Sequence, residues 1–537
     1  MKSRQTIKIY DTTLRDGNQA LGINLSLTDK LDIAAKLSEL GVHYIEGGWP
    51  NPTNNVDIEF YKRASRLRLR PRLAVFGSTR RPAASCATDA FVQALVKAEA
   101  PVATIFGKSW DLHVRKVLRV TLEENLALIH DTVSYLASRK DEVVYDAEHF
   151  FDGYKHNRDY ALSTLTVAQD SGADVIVLCD TNGGTLPAEF LSIWQEVKRH
   201  VRCALGVHTH NDAGCAEANT LLAVGEGATQ VQGTINGIGE RCGNANLCTV
   251  VPDLQLKLGY DVIPPAALRR FTEVSIFVSE VANVAHNIRM PYVGECAFSH
   301  KAGAHADGVR KANESFEHVK PESVGNTRQF VVSAQAGSST ILERLGALHS
   351  NLDKKDPLVK QLLAKIKELE SGGYQFEAAD ASFELIAQEM LGRFTESFEF
   401  KGFRVIEEKR ESGDVFSEAT IKLKKDGVYE HTAAEGDGPV NALDNALRKA
   451  LVKFYPNLSE VKLEDFKVRV LDGTQGTGAK VRVLIESSDG RERWGTVGVS
   501  ANVIEAAWLA LVDSLKYKLM KDDRRRRLRG RRSSVRI

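Results

Sequence analysis

The sequence predicts a protein of the α/β class whose N-terminal half is a (β/α)8 barrel, or TIM barrel. From Thr6 to about Leu258, short apolar segments alternate with longer amphipathic segments, which is typical of successive βα units. Several of the short segments are apolar throughout, as expected for parallel strands whose two faces are both covered. Eight such units in about 250 residues match the size of a closed barrel. A doubly wound open sheet would give a similar pattern and is the alternative.

The strands of the predicted barrel are separated by amphipathic helices. The strands are predicted at Ile7–Tyr10, Tyr44–Gly47, Arg72–Phe76, Ala103–Phe106, Val143–Ala147, Val175–Cys179, Leu205–His208 and Gln230–Thr234. The helices between them include Leu27–Leu40, Leu122–Arg139, Arg158–Gln169 and Ala213–Val224. Since parallel strands need crossover connections, this order predicts helices around a central sheet.

Beyond the barrel, which we assign to residues 1–270, the pattern changes twice. Residues 271–395 lose the strand signal and are predicted to form a mainly helical lid and linker region. Residues 396–523 are β-rich and contain a weak strand–turn–strand–helix repeat, offset by about sixty residues. The helices of the two copies are predicted at Val440–Leu451 and Ala501–Leu515. Such duplicated units pack as one α+β domain, either a structural dimerisation module or a ligand-sensing domain.

Composition and charge argue against several classes of protein. Residues 524–537 carry eight arginines and no acidic residue, whereas the net charge of the whole chain is only +1, so the rest is mildly acidic. This balance argues against a nucleic-acid-binding protein, and the arginine-rich segment is predicted to be a disordered tail. The seven cysteines form no CxxC pair, which excludes a disulfide framework or zinc ribbon. No apolar run approaches the ~20 residues needed to cross a bilayer. A cytoplasmic location without membrane contact is therefore expected.

Polar residues at the ends of the predicted strands indicate a metal site. Residues i and i+2 of a strand point to the same face, so His208 and His210 on strand seven would share one space. Closure of the barrel brings strand one near them, and Asp16 would add a carboxylate. Asn244, after strand eight, could supply a neutral oxygen. This mixed nitrogen and oxygen set suits Mg²⁺, Mn²⁺, Co²⁺ or Zn²⁺.

The other charged residues at the predicted mouth suggest roles around such a cation. Arg15 beside Asp16 would present a guanidinium to the carboxylate of a small acid and could stabilise a developing negative charge. Glu148, Glu240 and Asp11 could act as bases or only as partners of neighbouring groups. Outside the barrel, His305 lies among small residues, as in a loop that closes over a ligand.

At these residues the chain resembles the DRE-TIM metallolyases. The resemblance rests on three runs in the same order: Asp11–Gln19 (DTTLRDGNQ), His208–Asp212 (HTHND) and Asn236–Asn244 (NGIGERCGN). Within that family, the chain is similar to the branch of 2-isopropylmalate, homocitrate and citramalate synthases over its whole length except the arginine-rich end. His300–Val309, Pro321–Arg328 and Gly436–Val440 resemble the lid, linker and regulatory segments of the branch. Tyr44–Tyr61 and Tyr145–Gly153 are most similar to its group that uses pyruvate.

The resemblance implies an acyltransferase that condenses acetyl-CoA with a 2-oxo acid. Asp16, His208, His210 and Asn244 would hold the metal. Arg15 and Thr181 would contact the 2-oxo acid, and Glu148 and His305 would serve the proton transfers. Phe76, Phe106 and Asp146 would limit the volume of the substrate side chain. The family also implies a homodimer in which the lid of one protomer covers the barrel of the other.

Pyruvate is the expected 2-oxo acid, and isoleucine is the expected feedback effector of residues 396–523. A 2-isopropylmalate synthase acting on 2-oxoisovalerate is the nearest alternative, and a homocitrate synthase a more distant one. A non-catalytic amino-acid sensor on a degenerate barrel is the alternative from a different class. Because a methylene group changes binding in an apolar pocket by only ~1–3 kcal/mol, residue types alone leave this choice open.

Overall fold

The structure is a computed structural model that describes residues 5–301, 303–330, 345, 356–409, 411, 413–471 and 473–533. The chain forms two units. The first contains residues 1–298 and 317–328, and the second contains residues 299–316 and 329–537.

The first unit is built around a closed barrel of eight parallel strands. They are β1 (Lys8–Asp11), β2 (Tyr44–Glu46), β3 (Arg72–Ser78), β4 (Val102–Lys108), β5 (Glu142–Glu148), β6 (Val175–Asp180), β7 (Ala204–Thr209) and β8 (Gln230–Gly233). The sheet closes because β1 pairs in parallel with both β2 and β8. The predicted barrel is therefore confirmed, and each predicted strand overlaps the observed one. The open-sheet alternative is excluded, since an open sheet has no pairing between its first and last strands.

Helices surround the barrel in the order that the sequence pattern predicts. They are Leu27–Leu40, Asn55–Ala64, Ala90–Lys97, Asp111–His113, Leu122–Ala137, Phe150–His156, Arg158–Asp170, Pro187–His200, Ala216–Gly225, Leu247–Pro252, Pro265–Leu268 and Phe271–Val281. Their apolar faces pack with the outward-facing strand residues in one large core. A smaller cluster fills the barrel interior and consists of Tyr10, Tyr44, Ala74, Val102, Val144, Val175, Val177 and Cys179. The barrel is thus a packed body whose polar groups collect at one end.

The helix Leu27–Leu40 illustrates how local sequence defines these elements. Its first turn has a capping box, in which Ser26 accepts a hydrogen bond from Asp29 N and the Asp29 carboxylate accepts one from Ser26 N. Its end is defined by Gly41, whose φ of 83° lies in the left-handed region and whose N–H bonds to the Leu37 carbonyl. The helix therefore begins and ends where the sequence predicts.

The second unit begins with short elements and helices. Strands β9 (Ser299–His300) and β10 (Gln329–Phe330) form a small parallel pair, which the mainly helical prediction for this region did not include. Two-residue strands leave no detectable period in a sequence, so only their pairing identifies them. Among the described residues of this part, the helices are Gly303–Lys311, Pro357–Ser371 and Asp380–Met390.

The remainder of the second unit has the duplicated architecture predicted from the repeat. Strands β11 (Glu399–Lys409), β12 (Val415–Lys425) and β13 (Val428–Gly436) form an antiparallel sheet followed by the helix Pro439–Leu451. Strands β14 (Lys462–Val470), β15 (Val481–Ser488) and β16 (Arg493–Ser500) form a second sheet, followed by the helix Val503–Ser533. The first strand of each sheet was not predicted. Both are edge strands with mostly exposed side chains, so they lack the apolar alternation of half-buried strands.

The last helix extends further than the sequence suggested. A disordered tail was expected from Arg524, whereas the helix that begins at Val503 continues to Ser533. Arg525 Nη2 donates a 2.7 Å hydrogen bond to Glu492 within the same unit, and Arg524 forms an ion pair with Glu384. These partners come from distant parts of the sequence, so a local reading of the arginine run could not include them. Residues 534–537 lie outside the described residues.

In the part of the chain that the structure describes, no helix is long and apolar enough to cross a membrane. The seven cysteines are all free thiols.

Candidate metal centre and active site

The candidate site lies at the carboxyl ends of the barrel strands. The turn after β1 carries Arg15 and Asp16, and β7 carries His208 and leads into His210. An isolated antiparallel bridge between His210 and Asn244 brings the loop after β8 to the same place. Because strand ends converge at one face of a barrel, residues more than 190 positions apart in the chain become neighbours.

Asp16, His208 and His210 form a buried cluster with the composition of a metal site. Asp16 Oδ2 lies 3.4 Å from His208 Nε2 and 3.9 Å from His210 Nε2. The two Nε2 atoms are 3.3 Å apart. Among the described residues, this trio is the one group of three or more His, Cys, Asp or Glu side chains with ligand atoms close enough to hold an ion.

The hydrogen bonding of these residues supports the same interpretation. Asp16 Oδ1 and Asn244 Oδ1 are buried and have no hydrogen-bond partner among the described residues. A Cβ atom built on Gly239 would lie 2.1 Å from Asn244 Nδ2 and 3.4 Å from Asp16 Oδ1, so these two side chains meet at one point. Buried polar atoms are normally paired, and a divalent cation would satisfy such oxygen and nitrogen donors. The donor set therefore fits a divalent metal.

A chain of hydrogen bonds holds His208 in one tautomer. His208 Nδ1–H donates to Gln232 Oε1 at 3.0 Å, and Gln232 Nε2 donates to Asp146 Oδ1 at 3.0 Å. Since the amide oxygen can only accept, His208 carries a proton on Nδ1, and its Nε2 faces Asp16. Burial, together with Glu46, raises the pKa of Asp146 to about 7.

Two of the three groups in the cluster have pKa values that favour the protonation state a metal needs. For His208, burial lowers the pKa, but the hydrogen bond to the Asp16 carboxylate outweighs burial and raises it. Burial, reinforced by His208, lowers the pKa of His210 to about 3, so this imidazole is neutral at physiological pH. Burial alone would raise the pKa of Asp16, but Arg15 and His208 outweigh it and hold the pKa well below the usual range. Asp16 is therefore an ionised carboxylate beside a neutral imidazole, as metal coordination requires.

Arg15 is held by two carboxylates and an aromatic ring. Its Nε donates to Glu46 at 2.5 Å, and its Nη1 donates to Asp16 at 3.1 Å. Its guanidinium carbon lies 3.8 Å from the centre of the Phe76 ring. Glu46 is fully buried and also accepts a 2.8 Å hydrogen bond from the Tyr10 hydroxyl. A guanidinium held in this way is preoriented toward the cavity beside Asp16, His208 and His210.

The cluster borders a cavity of about 190 Å³ with an aromatic side. Trp49 packs edge-on against Phe76 and Phe106, with ring centres 5.8 and 5.4 Å apart, and those two phenylalanines stack at 5.4 Å. We call these three side chains the aromatic wall. The lining residues are Arg15, Asp16, Gln19, Trp49, Phe76, Phe106, Asp146, Glu148, Cys179, Thr181, His208, His210, Glu240 and Arg241.

Most of the residues singled out from the sequence lie at this cavity. Thr181 Oγ1 accepts a 2.9 Å hydrogen bond from His149 N, and Glu148 forms an ion pair with Lys108. Asp11 is buried beneath the mouth, where burial raises its pKa to about 7, and it is not among the lining residues described. His305 lies in the second unit, on the helix Gly303–Lys311, where its ring stacks on Phe316 at 4.2 Å.

Several residues of the site were not found by sequence reasoning. Gln232 and Lys108 lie on β8 and β4, and Trp49 follows β2. The pair Gln230 and Gln232, polar at positions i and i+2 of a strand, was a signal that β8 points polar groups into the barrel. Nothing local distinguished Trp49 from an ordinary loop aromatic residue.

Comparison with known proteins gives a consistent result. Residues 6–278 match the HMGL-like family, residues 292–373 match the homocitrate synthase post-HMGL domain-like family, and residues 377–519 match the LeuA allosteric (dimerisation) domain. The chain is 54% identical to the (R)-citramalate synthase of Aquifex aeolicus over 97% of this chain and 99% of that protein. It is 54% identical to the (R)-citramalate synthase of Geobacter sulfurreducens, covering 96% of this chain and 98% of that protein. Identity to a probable 2-isopropylmalate synthase of Methanopyrus kandleri is 31%, over 94% and 97% of the two chains.

An HMGL-like barrel with this centre, joined to a LeuA domain, defines a condensing enzyme of the acyltransferase type. The predicted resemblance to the DRE-TIM metallolyases is confirmed. Within that class, the chain belongs to the family of the (R)-citramalate synthases.

Proposed function

We propose that this enzyme condenses acetyl-CoA with pyruvate to form (R)-citramalate and free CoA, in the pathway to isoleucine. The observation that carries the proposal is the Asp16, His208 and His210 cluster beside Arg15, in a chain 54% identical over 97% of its length to an (R)-citramalate synthase. A small cavity next to a guanidinium suits a short 2-oxo acid.

The proposed metal ligands are Asp16, His208, His210 and Asn244, with Mg²⁺, Mn²⁺, Co²⁺ or Zn²⁺ as the cation. When bound, a divalent cation would act as a Lewis acid on the keto group of pyruvate. Arg15 would hold the pyruvate carboxylate and stabilise the alkoxide that develops during attack. Thr181 would donate a hydrogen bond from its hydroxyl group to the same substrate.

Glu148 is the proposed base for the methyl group of acetyl-CoA, with His305 as the second group in proton transfer. Glu148 lines the cavity, and its carboxylate forms an ion pair with Lys108. The aromatic wall and Asp146 would limit the substrate side chain to a methyl group. Hydrolysis of the thioester then releases CoA and makes the reaction irreversible in practice.

The proposal is tested by a panel of 2-oxo acids with purified, metal-loaded protein and acetyl-CoA. We expect kcat/KM, measured by thiol release, to be at least tenfold higher with pyruvate than with 2-oxoisovalerate. The two extra methyl groups of 2-oxoisovalerate would have to fit against the aromatic wall. A preference for 2-oxoisovalerate would instead identify a 2-isopropylmalate synthase. No CoA release with any 2-oxo acid would support the non-catalytic sensor.

Replacing Gln232 with leucine tests the arrangement around the proposed metal. The substitution removes the acceptor for His208 Nδ1–H and the donor to Asp146. We expect the dissociation constant of the metal to rise about 10- to 100-fold. Titration of metal-free protein with Co²⁺ or Mn²⁺, followed by calorimetry, measures this change.

Gln230 provides a matched control on the same strand. It is equally buried, and its side-chain nitrogen and oxygen have no hydrogen-bond partner among the described residues. Gln230→Leu should therefore leave metal affinity unchanged. Equal weakening in both variants would show that strand packing, rather than the bond to His208, controls affinity.

We also propose that isoleucine binds residues 396–523 and inhibits the enzyme. The match to the LeuA allosteric (dimerisation) domain and the duplicated βββα architecture support this. In the full-length protein, isoleucine should reduce the initial rate. At a hundred times its dissociation constant, it should also stabilise the fold by about 2.7 kcal/mol in thermal unfolding. Leucine and threonine serve as controls, and equal effects of all three amino acids would contradict an isoleucine site.

Finally, we propose a homodimer in which His305 of one protomer serves the barrel of its partner. The LeuA dimerisation domain supports the dimer, and the resemblance of the lid segment supports the exchange. Mixing inactive His305→Ala and His208→Ala chains under exchange conditions should recover about a quarter of wild-type activity, since half the dimers are hybrids with one intact site. If each chain completes its own site, the mixture will stay inactive.

A further inference from the structure

A buried ion pair lies behind the aromatic wall, outside the residues that line the cavity. Lys30 on the helix Leu27–Leu40 is 2% exposed, and Asp57 on the helix Asn55–Ala64 is 5% exposed. Lys30 Nζ donates a hydrogen bond to Asp57 Oδ1, so the two side chains form an ion pair. Removing two charges from water is costly, and a buried pair is often no more stable than an apolar pair of the same volume. Stability alone is thus a poor explanation for this pair.

Both partners also hold the backbone that carries Trp49. Lys30 Nζ donates to the Gly47 carbonyl at 3.1 Å, and Asp57 Oδ2 accepts from Trp49 N at 2.9 Å. The pair therefore binds the segment 47–49 at its first carbonyl and at its last amide. Asn54 adds a 2.7 Å hydrogen bond to the same Asp57 oxygen.

The segment has little freedom to move away from the ion pair. Gly48 has a φ of 150°, and a Cβ atom there would lie 2.3 Å from the Asp57 carboxyl group. Its carbonyl accepts hydrogen bonds from the Tyr61 hydroxyl at 3.0 Å and from Phe76 N at 3.2 Å. The backbone thus passes directly over the Asp57 carboxylate, and its path depends on that group.

From these contacts we propose that Lys30 and Asp57 are positioning residues that determine substrate specificity through Trp49. The pair holds the Trp49 backbone so that its ring packs edge-on against Phe76 and Phe106 and limits the space for the 2-oxo acid side chain. This inference rests on the proposed function for the identity of the substrate. It assigns no chemical step to either residue.

The test compares pyruvate with 2-oxobutyrate, which is longer by one methylene. In Lys30→Met, the Trp49 segment loses its anchor, and the ratio of kcat/KM for pyruvate over 2-oxobutyrate should fall about tenfold, through KM more than kcat. Lys30→Arg, which keeps a cation, should restore most of the ratio. In a Trp49→Ala background, Lys30→Met should change the ratio no further.

Lys518 offers a matched control in the second unit. It is also 2% exposed and pairs with the buried Asp489 at 3.0 Å. Lys518→Met should lower thermal stability without changing the substrate ratio. If Lys30→Met does not fold, Lys30→Met combined with Asp57→Leu removes both buried charges and tests the same ratio.

A second measurement does not depend on turnover. In protein labelled with 5-fluorotryptophan, the ¹⁹F resonance of Trp49, assigned by its loss in Trp49→Phe, should shift or broaden in Lys30→Met and stay unchanged in Lys518→Met. A wild-type protein that releases no CoA with either acid would refute the proposed function but leave this measurement valid. An unchanged resonance or an unchanged substrate ratio in folded Lys30→Met would overturn the positioning role.

Discussion

Replacing His208 with alanine should reduce turnover by roughly a thousandfold, because the protein would lose the proposed metal and its Lewis-acid contribution of about 4 kcal/mol. His208 is bonded on one side to Gln232, and its Nε2 lies 3.4 Å from Asp16 on the other. Without the His208 imidazole, three of the proposed ligands remain: Asp16 in the turn after β1, His210 after β7 and Asn244 in the loop after β8. Metal content by mass spectrometry after desalting, together with the rate of thiol release, measures both consequences.

A surface histidine provides the control for this substitution. His200 is exposed at the end of the helix Pro187–His200, where its Nδ1 bonds to the Glu196 carbonyl. His200→Ala should retain full metal content and activity. The proposal of a metal centre would be contradicted if His208→Ala kept its metal and its turnover, or if a chelator left wild-type turnover unchanged.

Replacing Arg15 with lysine should lower kcat about 10²- to 10³-fold, as expected when a preorganised donor to a developing oxyanion is removed. Lysine keeps the positive charge but cannot bond to Glu46 and Asp16 while also lying flat on Phe76. Because the charge is kept, Glu46 is not left as an isolated buried carboxylate, and the fold should persist. Steady-state kinetics with pyruvate measures the effect.

Arg80 is the matched control for this change. It is partly buried, forms two hydrogen bonds to Asp131 at 2.9 and 2.7 Å, and is not among the residues that line the cavity. Arg80→Lys should leave kcat unchanged while weakening that ion pair. A loss confined to KM in Arg15→Lys would mean that Arg15 only binds the substrate, since an interaction specific to the transition state lowers kcat.

The strands of the barrel could be predicted because most residues of such a strand are buried and are therefore apolar. Both faces of a parallel strand are buried, so a run such as Val175–Cys179 must be apolar throughout, and that demand is visible without coordinates. The exposed edge strand Glu399–Lys409 meets no such demand and was missed. The helical continuation to Ser533 was missed for a related reason, since Glu384 and Glu492 are distant in sequence from the arginines that they contact.

The sequence by itself determined the type of fold and the proposed metal ligands. Strand periodicity places His208 and His210 on one face, and the closure of eight βα units brings Asp16 to them. These are consequences of local geometry and strand count, and both can be read along the chain.

Only the tertiary structure decided how those groups are held. The bond from His208 through Gln232 to Asp146, and the support of Trp49 by Lys30 and Asp57, join side chains from separate βα units. Such contacts depend on rotamers and on distances of about 3 Å between atoms far apart in the chain. No residue type or spacing encodes them singly, because each donor has several possible acceptors until packing leaves one within reach.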